Sequence, residues 1–518
     1  MIDVLELRLH PEAYAEENML PLISKKTGIS PKRITNWEIC RRSIDARKKP
    51  VQYVLKIKVW VDEEAKEEPT FDPKLQSVAN GPEIHIVGMG PCGLFAALNA
   101  VANGYKPIIW ERGKAVRDRR RDLAQLTKQG ILNPESNYCF GEGGAGTFSD
   151  GKLYTRSTKR GKIENILQML VYFGAPSDIL VDAHPHIGTN KLPKIIANIR
   201  QCLIDCGAEI HFNSKITNIR KQGSQLEALE VNGTYWISCK KLLLATGHSA
   251  RDIFRMIHKM GLTLAQKPLA VGVRIEHPQV LIDSIQYHSS AERPLNLPPA
   301  SYNWSRNVQE RGVHSFCMCP GGIICPAATS EGEVVVNGWS PSKRNGPFAN
   351  SGIVVQITGQ DITPKSDSPL LLMEWQAALE AKAYQAGGGN FFAPGQRLGD
   401  FLSKRISNNL PECSYLPGID SAPLHELLPP FIYSPLATAL RQIGKRMKGY
   451  ISNEAVVVGV ESRTSSPVKI PRDPYSRMHP ECEGLYPCGE GAGYAGGIMS
   501  AAIDGWNTAQ VACVPVEY

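Results

Sequence analysis

The sequence predicts an α/β protein of three parts, and three observations lead to that prediction. Over residues 84–103 an apolar strand, a glycine-rich turn and an alanine-rich helix follow one another, which is typical of a parallel-sheet domain. From about residue 267 short strands are punctuated by Pro and Gly, which indicates a β-rich insertion. Before residue 80 strand-like and helix-like segments form a small α/β unit. We therefore predict domains over 1–80, 81–266, 267–458 and 459–518, with the second and fourth ranges forming one unit.

The composition is that of an ordinary globular chain, with 42% hydrophobic and 21% charged residues. The net charge of +8 is modest and suits an anionic cofactor as well as a nucleic acid. No basic stretch followed by an apolar one opens the chain, and no apolar run reaches the ~18 residues of a membrane span, so we expect neither a signal peptide nor a transmembrane helix. The 13 scattered cysteines predict reduced thiols and a cytoplasmic location.

The small N-terminal unit contains a predicted strand over 2–9, a helix over 11–26 and a half-buried strand over 51–61, where every odd position is apolar. Residues 63–79 read as a linker. A basic segment, 41–49, precedes the last strand. It is as compatible with a solvated face as with contact to an anionic substrate, a cofactor phosphate or RNA.

The stretch 84–103 carries the pattern G-x-G-x-x-G at Gly88, Gly90 and Gly93. In this context Gly88 permits the strand-to-helix turn, Gly90 lets a pyrophosphate approach the backbone, and Gly93 lets helix and strand pack closely. Glu111 ends the next strand, eighteen residues after Gly93, where an acid accepts hydrogen bonds from ribose hydroxyls. These features predict a Rossmann-type site for NAD or FAD rather than NADP.

Further glycine-rich segments suit a large planar cofactor. Five glycines fall within residues 141–151, interleaved with polar residues, which favours a cofactor loop over a flexible one. The cations of 112–121 could pair with a pyrophosphate or lie on an exposed helix face. A strand over 241–247 extends the nucleotide sheet, and a last strand, glycine turn and helix follow over 484–505, with a second helix N-terminus at Gly497.

The cysteines give no metal or dithiol signal. Cys202 and Cys206 share a helix face without a second Cys/His pair, so we predict packed thiols and no metal site. Cys317, Cys319 and Cys325 lack the spacing of a redox C-x-x-C or a zinc knuckle, and we interpret them as buried or edge thiols.

In their order along the chain, these motifs resemble the FAD-dependent oxidoreductases of the glutathione-reductase-like superfamily. The sequence is most similar to a bacterial group of FAD-dependent dehydrogenases, largely uncharacterised in their reactions, that carry a small α/β domain in front. The segments that carry this resemblance, besides the first glycine turn, are 42–47, 141–153, 245–247, 459–467 and 488–493. These segments are specific for FAD binding, but they give almost no indication of the substrate.

The resemblance implies which residues contact FAD. Residues 88–93 would receive the pyrophosphate, Glu111 the adenosine ribose, and the helix from Gly497 the N1/O2 edge of the flavin. Many relatives have Asp where this chain has Glu490. The implied FAD-binding residues are Gly88, Met89, Gly90, Pro91, Cys92, Gly93, Glu111, Arg112, Gly143, Gly144, Gly146, Thr147, Ser149, Ile216, Ala245, Thr246, Gly247, Gly489, Glu490, Gly497, Ile498 and Met499.

The chain also departs from relatives. It lacks the C-x-x-x-x-C pair and the separate NAD(P)H domain of disulfide reductases, and the Gly-Asp pair of aromatic hydroxylases, so we expect no dithiol chemistry. The implied activity is hydride exchange between flavin N5 and a small molecule bound between the FAD domain and the insertion, with NAD(P)H a candidate electron donor. The candidate catalytic residues are Lys152, Asp150, Arg463, Glu461 and His248.

Three alternatives stay open. The first is a flavin-dependent monooxygenase or an ene-type reductase. The second is an RNA-associated flavoprotein that uses the basic segment 41–49, although a nucleic-acid partner is not the favoured interpretation. The third is an NAD-binding regulatory protein without flavin.

Overall fold

A computed structural model describes residues 3–14, 19–65, 71–154, 163–289, 292–294 and 296–513. Parts of the predicted first helix (15–18) and of the predicted linker (66–70) lie outside the described residues. In the part that is described, α1 begins at Met19 and a short 3-10 turn covers Pro11–Ala13. Among the described residues we find no helix whose length and apolar character would let it cross a bilayer.

The helices are α1 (Met19–Thr27), α2 (Pro91–Ala102), α3 (Val116–Gln129), α4 (Ile163–Tyr172), α5 (Leu192–Asp205), α6 (Arg251–Lys259), α7 (Gln279–Tyr287), α8 (Leu371–Ala386), α9 (Leu398–Ser403), α10 (Leu424–Leu427), α11 (Pro430–Arg446) and α12 (Ile498–Ala512).

The strands are β1 (Asp3–Leu9), β2 (Ile34–Asp45), β3 (Gln52–Val61), β4 (Glu83–Val87), β5 (Lys106–Trp110), β6 (Glu209–His211), β7 (Ile216–Gln222), β8 (Gln225–Val231), β9 (Tyr235–Ser238), β10 (Leu242–Leu244), β11 (Ala265–Gln266), β12 (Leu269–Pro278), β13 (Ser305–Val308), β14 (Arg311–Cys319), β15 (Ile323–Pro326), β16 (Val336–Trp339), β17 (Phe348–Ile357), β18 (Ala393–Arg397), β19 (Ile419–Ser421), β20 (Val456–Glu461), β21 (Val468–Lys469) and β22 (Leu485–Pro487).

A parallel five-stranded sheet in the order β22-β10-β4-β5-β6 forms the nucleotide-binding part of the fold. The apolar runs of β4 and β10 are buried because helices cover the sheet, as parallel sheets require. The strand predicted before the first glycine turn is β4, and the strand predicted to end at Glu111 is β5. The strands predicted over 241–247 and from 484 are β10 and β22, and all four belong to this sheet. Their carboxyl ends share one edge, which is where open α/β sheets bind ligands.

The β-rich insertion is a seven-stranded sheet in the order β13-β14-β17-β12-β20-β18-β19. All its pairs are antiparallel except β18 with β19. The predicted boundary at residue 458 falls inside β20, because Val456–Glu461 pairs with β12 at the centre of this sheet. The insertion therefore ends at Glu461, three residues after the predicted boundary.

The N-terminal strands form a three-stranded sheet in the order β1-β3-β2. Its apolar face shares a hydrophobic core with the seven-stranded sheet rather than closing a core of its own. Arg42, from the basic segment, bonds the carboxylates of Asp178 (2.8 Å) and Asp182 (2.7 Å) next to α4. This arginine therefore serves to dock the N-terminal unit, whereas Arg47 to Lys49 are exposed.

Candidate functional site

A cavity of about 1330 Å³ opens at the carboxyl edge of the five-stranded sheet. It exceeds the ~300–1,000 Å³ of ordinary small-ligand pockets. One wall, the glycine wall, is built from the segments that follow β4, β5 and β10 and from the start of α12. The other, the insertion wall, is built from β13 and β14 of the seven-stranded sheet. The cavity is therefore large enough for an extended cofactor and a second molecule.

The first glycine turn has the geometry that the spacing predicts. Gly88 has φ +98°, and a Cβ there would lie 2.5 Å from the carbonyl oxygen of Ala245. A Cβ at Gly93 would lie 1.9 Å from the carbonyl oxygen of Gly88, so α2 can approach β4 only at a glycine. At Gly90 the nearest atom is 3.8 Å away, which leaves the cradle open towards the cavity.

The N-terminus of α2 lies at that cradle. Gly90 is its N-cap, Pro91 opens the first turn, and no side chain caps the helix. Free amides and the positive end of the helix dipole form a site for an anion such as a pyrophosphate.

Glu111 lines the cavity but also ties its wall together. One carboxylate oxygen accepts from the amides of Gly113 (2.9 Å) and Gly141 (3.0 Å), and the other from the amide of Met89 (2.8 Å). An ionised carboxylate offers about four acceptor positions. Three are thus used by backbone amides, and one remains for the ribose contact that the resemblance implies.

The glycine loop after Glu111 is held by Arg119, which is fully buried on α3. Its guanidinium donates to the carbonyl oxygens of Asn137 (2.8 Å), Tyr138 (3.0 Å) and Glu142 (2.7 Å). Burial lowers the pKa of Arg119 to about 10, so the side chain is charged at neutral pH. We expected the arginines of this region to pair with a pyrophosphate or to be exposed. The structure instead uses Arg119 to shape the loop.

Helix α12 brings a second N-terminus to the same cavity. Gly497 is its N-cap, and residues 496–501 line the cavity. Helices α2 and α12 cross closely, since a Cβ at Gly505 would lie 2.0 Å from the carbonyl oxygen of Cys92. The two predicted glycine turns therefore lie on one cavity and can share one elongated ligand.

Most of the predicted FAD-binding residues line this cavity. The exceptions are Gly93, Gly143, Thr147 and Gly489, which support the wall from behind. The hydroxyl of Thr147, for example, donates to the carbonyl oxygen of Glu142 (2.8 Å) and accepts from Arg119. Arg112 lines the cavity, stacks on Phe140 with 4.4 Å to the ring centroid and bonds Asp252.

Of the candidate catalytic residues, Lys152, Asp150, Arg463 and His248 line the cavity, and Glu461 does not. Asp150 is paired with Arg344 (2.6 Å). Burial alone would raise the pKa of Asp150, but Lys152 and Arg344 lower it, so this carboxylate is ionised. Burial lowers the pKa of His248, whose Nε2 lies 3.6 Å from the carboxylate of Glu490.

Arg463 belongs to a buried network of two arginines and two glutamates. It bonds Glu333 (2.9 Å) and Glu380 (2.8 Å), which also bond Arg251. Burial would raise the pKa of Glu380, but the two arginines outweigh it and hold the pKa at about 2. This network anchors the segment after β20 to α6 and α8.

Glu461 is buried behind the cavity, where it bonds Arg274 (2.6 Å). Arg274 in turn donates to the carbonyl oxygen of Cys317 (3.1 Å), a residue of β14 that lines the cavity. Glu461 is thus placed to position the cavity wall rather than to touch a ligand.

From the sequence we expected the substrate to lie against the insertion, but we did not identify the side chains with which the insertion lines the cavity. Its side chains include Asn303, Arg306, Asn307, His314, Cys317 and Gln356. Their chemistry is ordinary for strands and loops, and only the pairing of β13, β14 and β17 aims them at one cavity. No spacing in the sequence could have indicated this.

Comparisons with known proteins show an FAD-dependent family model and a relative that covers almost the whole chain. Residues 268–464 match a family model described as "FAD-dependent protein, C-terminal domain-like", and residues 1–60 match a domain of unknown function. An uncharacterised protein of Clostridium beijerinckii is 41% identical over 507 residues, which is 94% of this chain and 94% of that protein.

Similar solved structures include CtdE in complex with FAD, with 11% identity, 83% of this chain, 82% of that chain and a TM-score of 0.31. Another is a geranylgeranyl bacteriochlorophyll reductase-like protein from Thermoplasma acidophilum, with 13% identity, coverages of 83% and 77%, and a TM-score of 0.34. These TM-scores are too low to support an argument about this chain.

The open glycine cradle at Gly90, the two helix N-termini on one cavity and the remaining acceptor position of Glu111 all fit FAD. FAD is therefore the cofactor, and the protein is an enzyme of flavin-dependent redox chemistry. The chain belongs to the same family as the Clostridium beijerinckii protein, and the family model matched by its C-terminal part is that of an FAD-dependent protein.

Proposed function

We propose that the protein is an oxidoreductase that transfers a hydride between FAD and a polar small molecule bound against β13 and β14. The observation that carries this proposal is the continuity of the cavity. A single space runs from the amides of α2 and α12 to the polar side chains of the insertion. FAD supplies the hydride-exchanging atom when it is bound, and the chain supplies position, charge and proton exchange.

The glycine wall would hold FAD. The amides at the start of α2 would face the pyrophosphate, and Glu111 would accept from the ribose, since one acceptor position of its carboxylate is still available. The amides at the start of α12 would favour negative charge on a bound ring, by up to about 2 kcal/mol in a partly buried geometry.

The insertion wall would hold the substrate. Asn303, Asn307 and Gln356 offer amide groups at its surface, and Arg306 adds a cation. Such a surface suits a polar or anionic small molecule better than a hydrocarbon, because polar groups buried without hydrogen-bond partners are costly.

His248 is the residue that we propose for proton exchange. It lies in the cavity wall directly after the strand end at β10, and burial keeps its imidazole neutral at neutral pH. A neutral imidazole can accept a proton from a substrate, and Glu490 at 3.6 Å would stabilise the imidazolium that forms.

The test is anaerobic reduction of the FAD-loaded protein by NADH, NADPH and a panel of polar metabolites, followed by the loss of visible flavin absorbance. We expect at least one compound to reduce the flavin, and the His248→Gln variant to slow that reaction by about 10²–10⁴-fold with an altered pH profile. His258→Gln, on the exposed end of α6, is the control.

Two outcomes would overturn the proposal. One is a flavin that no donor in the panel reduces. The other is an oxygen atom transferred from O2 to the substrate during aerobic turnover, which would favour the monooxygenase alternative. An unchanged rate in His248→Gln would remove His248 from the mechanism.

A further inference from the structure

Two cysteines of the insertion wall lie next to each other where the glycine loop meets the seven-stranded sheet. The Sγ atoms of Cys317 and Cys319 are 3.9 Å apart on β14. Cys317 lines the cavity, and Cys319 is fully buried directly behind it. One sulfur is therefore accessible to a cavity ligand, and the other is shielded.

A β-bulge brings the pair together. The register of β14 with β17 shifts between Phe316 and Cys319, and Cys317 has φ +45°. In a regular strand, Cα atoms two residues apart are separated by about 6.6 Å, which is near the upper limit for a disulfide. The bulge bends the strand at Cys317, and a non-glycine residue in the left-handed region is a feature that clusters at functional sites.

Two cations face the pair. The Nζ of Lys152, from the glycine loop, lies 3.8 Å from the Sγ of Cys317 and 4.0 Å from that of Cys319. Arg274 holds the carbonyl oxygen of Cys317 at 3.1 Å. The contact with the sulfur of Cys319, together with Lys152 and Arg274, lowers the pKa of Cys317 well below that of an ordinary thiol, although burial and Asp150 oppose this shift. The contact with Cys317 and burial raise the pKa of Cys319, so Cys317 is the more acidic member of the pair.

Cys202 and Cys206 show what an unassisted pair looks like. They lie one turn apart, Cys202 on α5 and Cys206 at its C-cap; among the described residues no cation shifts the pKa of either thiol, and burial raises both. Cys325 also lines the cavity, and burial raises its pKa as well. Among these thiols, Cys317 alone has its pKa lowered.

We propose that Cys317 and Cys319 are a redox-active dithiol that exchanges two electrons with FAD. In the oxidising direction the S–H bond of Cys319 breaks and an S–S bond to the Cys317 thiolate forms. Both electrons and the proton of Cys319 pass to FAD, so that charge and atoms balance. In the reverse direction reduced FAD restores the thiolate and the thiol.

The absence of the C-x-x-x-x-C and C-x-x-C spacings predicted no dithiol chemistry, and a redox-active pair at Cys317 and Cys319 would overturn that prediction. A C-x-C pair has no such signature, and the bulge that makes it competent is visible only in the structure. The proposal rests on FAD as the cofactor and not on the proposed small-molecule substrate.

The first test uses the full-length protein freed of FAD. After equilibration in glutathione buffers of graded redox ratio, the thiols are trapped with an alkylating agent and mapped by mass spectrometry. We expect a Cys317–Cys319 disulfide over part of the range of redox ratios. Cys325, Cys202 and Cys206 should stay reduced over the same range and should therefore be alkylated. The absence of that disulfide across the whole range would overturn the proposal, whatever reduces the flavin.

The second test counts electrons in the FAD-loaded, oxidised protein. The wild type should take up about twice as many electrons per flavin as C317S/C319S, because the disulfide is a further two-electron acceptor. C202S/C206S should behave as wild type. Equal uptake by all three proteins would contradict the proposal even if a disulfide forms.

Lys152→Met separates the role of charge from that of proximity. In the FAD-free protein, alkylation of Cys317 should need a higher pH than in the wild type, since the thiolate loses its nearest cation. An unchanged pH profile would show that Lys152 does not activate Cys317.

Discussion

The two walls of the cavity are built by different means. The glycine wall is formed by backbone atoms, and its packing requires glycine at positions 88, 93 and 505 because a Cβ atom would not fit there. The insertion wall is side chain: amides, a cation and a thiol project from β13 and β14. A backbone wall depends on a few residue types at fixed spacing, so it can be predicted from sequence. A side-chain wall depends on strand register, so it cannot.

Each wall has a buried arginine, and the two guanidinium groups have different kinds of hydrogen-bond partner. Arg463, which lines the cavity beside the insertion wall, is paired with the carboxylates of Glu333 and Glu380. Arg119, behind the glycine wall, donates to carbonyl oxygens, and no carboxylate among the described residues lies within ion-pair distance of it. Removing a carboxylate partner of Arg463 should therefore leave buried charge uncompensated, whereas removing Arg119 should leave backbone carbonyl oxygens without a donor.

The largest effect is expected for Glu380→Gln. The substitution keeps the shape but leaves Arg251 and Arg463 with one carboxylate between them, and breaking a buried ion pair costs about 3–5 kcal/mol. Chemical denaturation of the FAD-free protein measures this loss. Glu374→Gln, exposed on the same helix, is the control and should be nearly neutral.

The pH dependence of the same variant sharpens the test. The pKa of Glu380 is about 2 in the folded state against an ordinary value of 4.5, so its contribution to stability is complete above pH 4.5. It is lost as the pH falls from 4.5 towards 2, because protons then bind preferentially to the unfolded chain. The wild type should lose stability in that window more steeply than Glu380→Gln. Parallel pH profiles would contradict the assignment.

The next effect is expected in the glycine wall for Arg119→Met. The carbonyl oxygens of Asn137 and Tyr138 lose their donor, and we expect a loss of about 2–4 kcal/mol, since a buried acceptor without a partner costs about 1–3 kcal/mol. The loop should also lose protection from proteolysis. Arg120→Met, exposed on the same helix, serves as the control. A stable variant with an intact loop would show that the carbonyls are not dependent on Arg119.

Features that rest on local geometry could be predicted from the sequence. The order of motifs predicted the parallel sheet, the open cradle at Gly90 and the helix that begins after Gly497, because each rests on local geometry. Arg119 carried a weaker signal: it shares a buried helix face with Leu123 and Leu126 at helical spacing. That pattern could have separated it from the exposed arginines around it.

The remainder depended on long-range pairing. The bulge at Cys317 arises from the register of β14 with β17, and the role of Glu461 follows from its bond to Arg274 across β12 and β20. The N-terminal sheet shares its core with a sheet more than 200 residues away in the chain, which no composition shift indicates. The sequence therefore predicted the motifs of the glycine wall but not the side chains of the insertion wall.

A smaller effect is expected for Gly93→Ala. The added methyl group would lie 1.9 Å from the carbonyl oxygen of Gly88, so α2 must move away from β4. Such overpacking costs about 1–3 kcal/mol, and the displaced helix should bind FAD weakly. Thermal unfolding and the ratio of flavin to protein measure the two losses. Gly399→Ala, on α9 and outside the cavity lining, is the control, because the nearest atom to a Cβ there is 4.0 Å away.

The smallest effect on stability, and the sharpest separation of folding from binding, is expected for Gly90→Ala. Gly90 has φ −76°, which alanine adopts readily, and the new Cβ would be 3.8 Å from its nearest neighbour. The FAD-free protein should therefore unfold at nearly the wild-type temperature. The methyl group would stand where the pyrophosphate approaches the backbone, so FAD affinity should fall, as measured by titration of the stripped protein. Unchanged affinity would mean that the phosphates lie elsewhere in the cavity, and the assignment of the first glycine turn would be wrong.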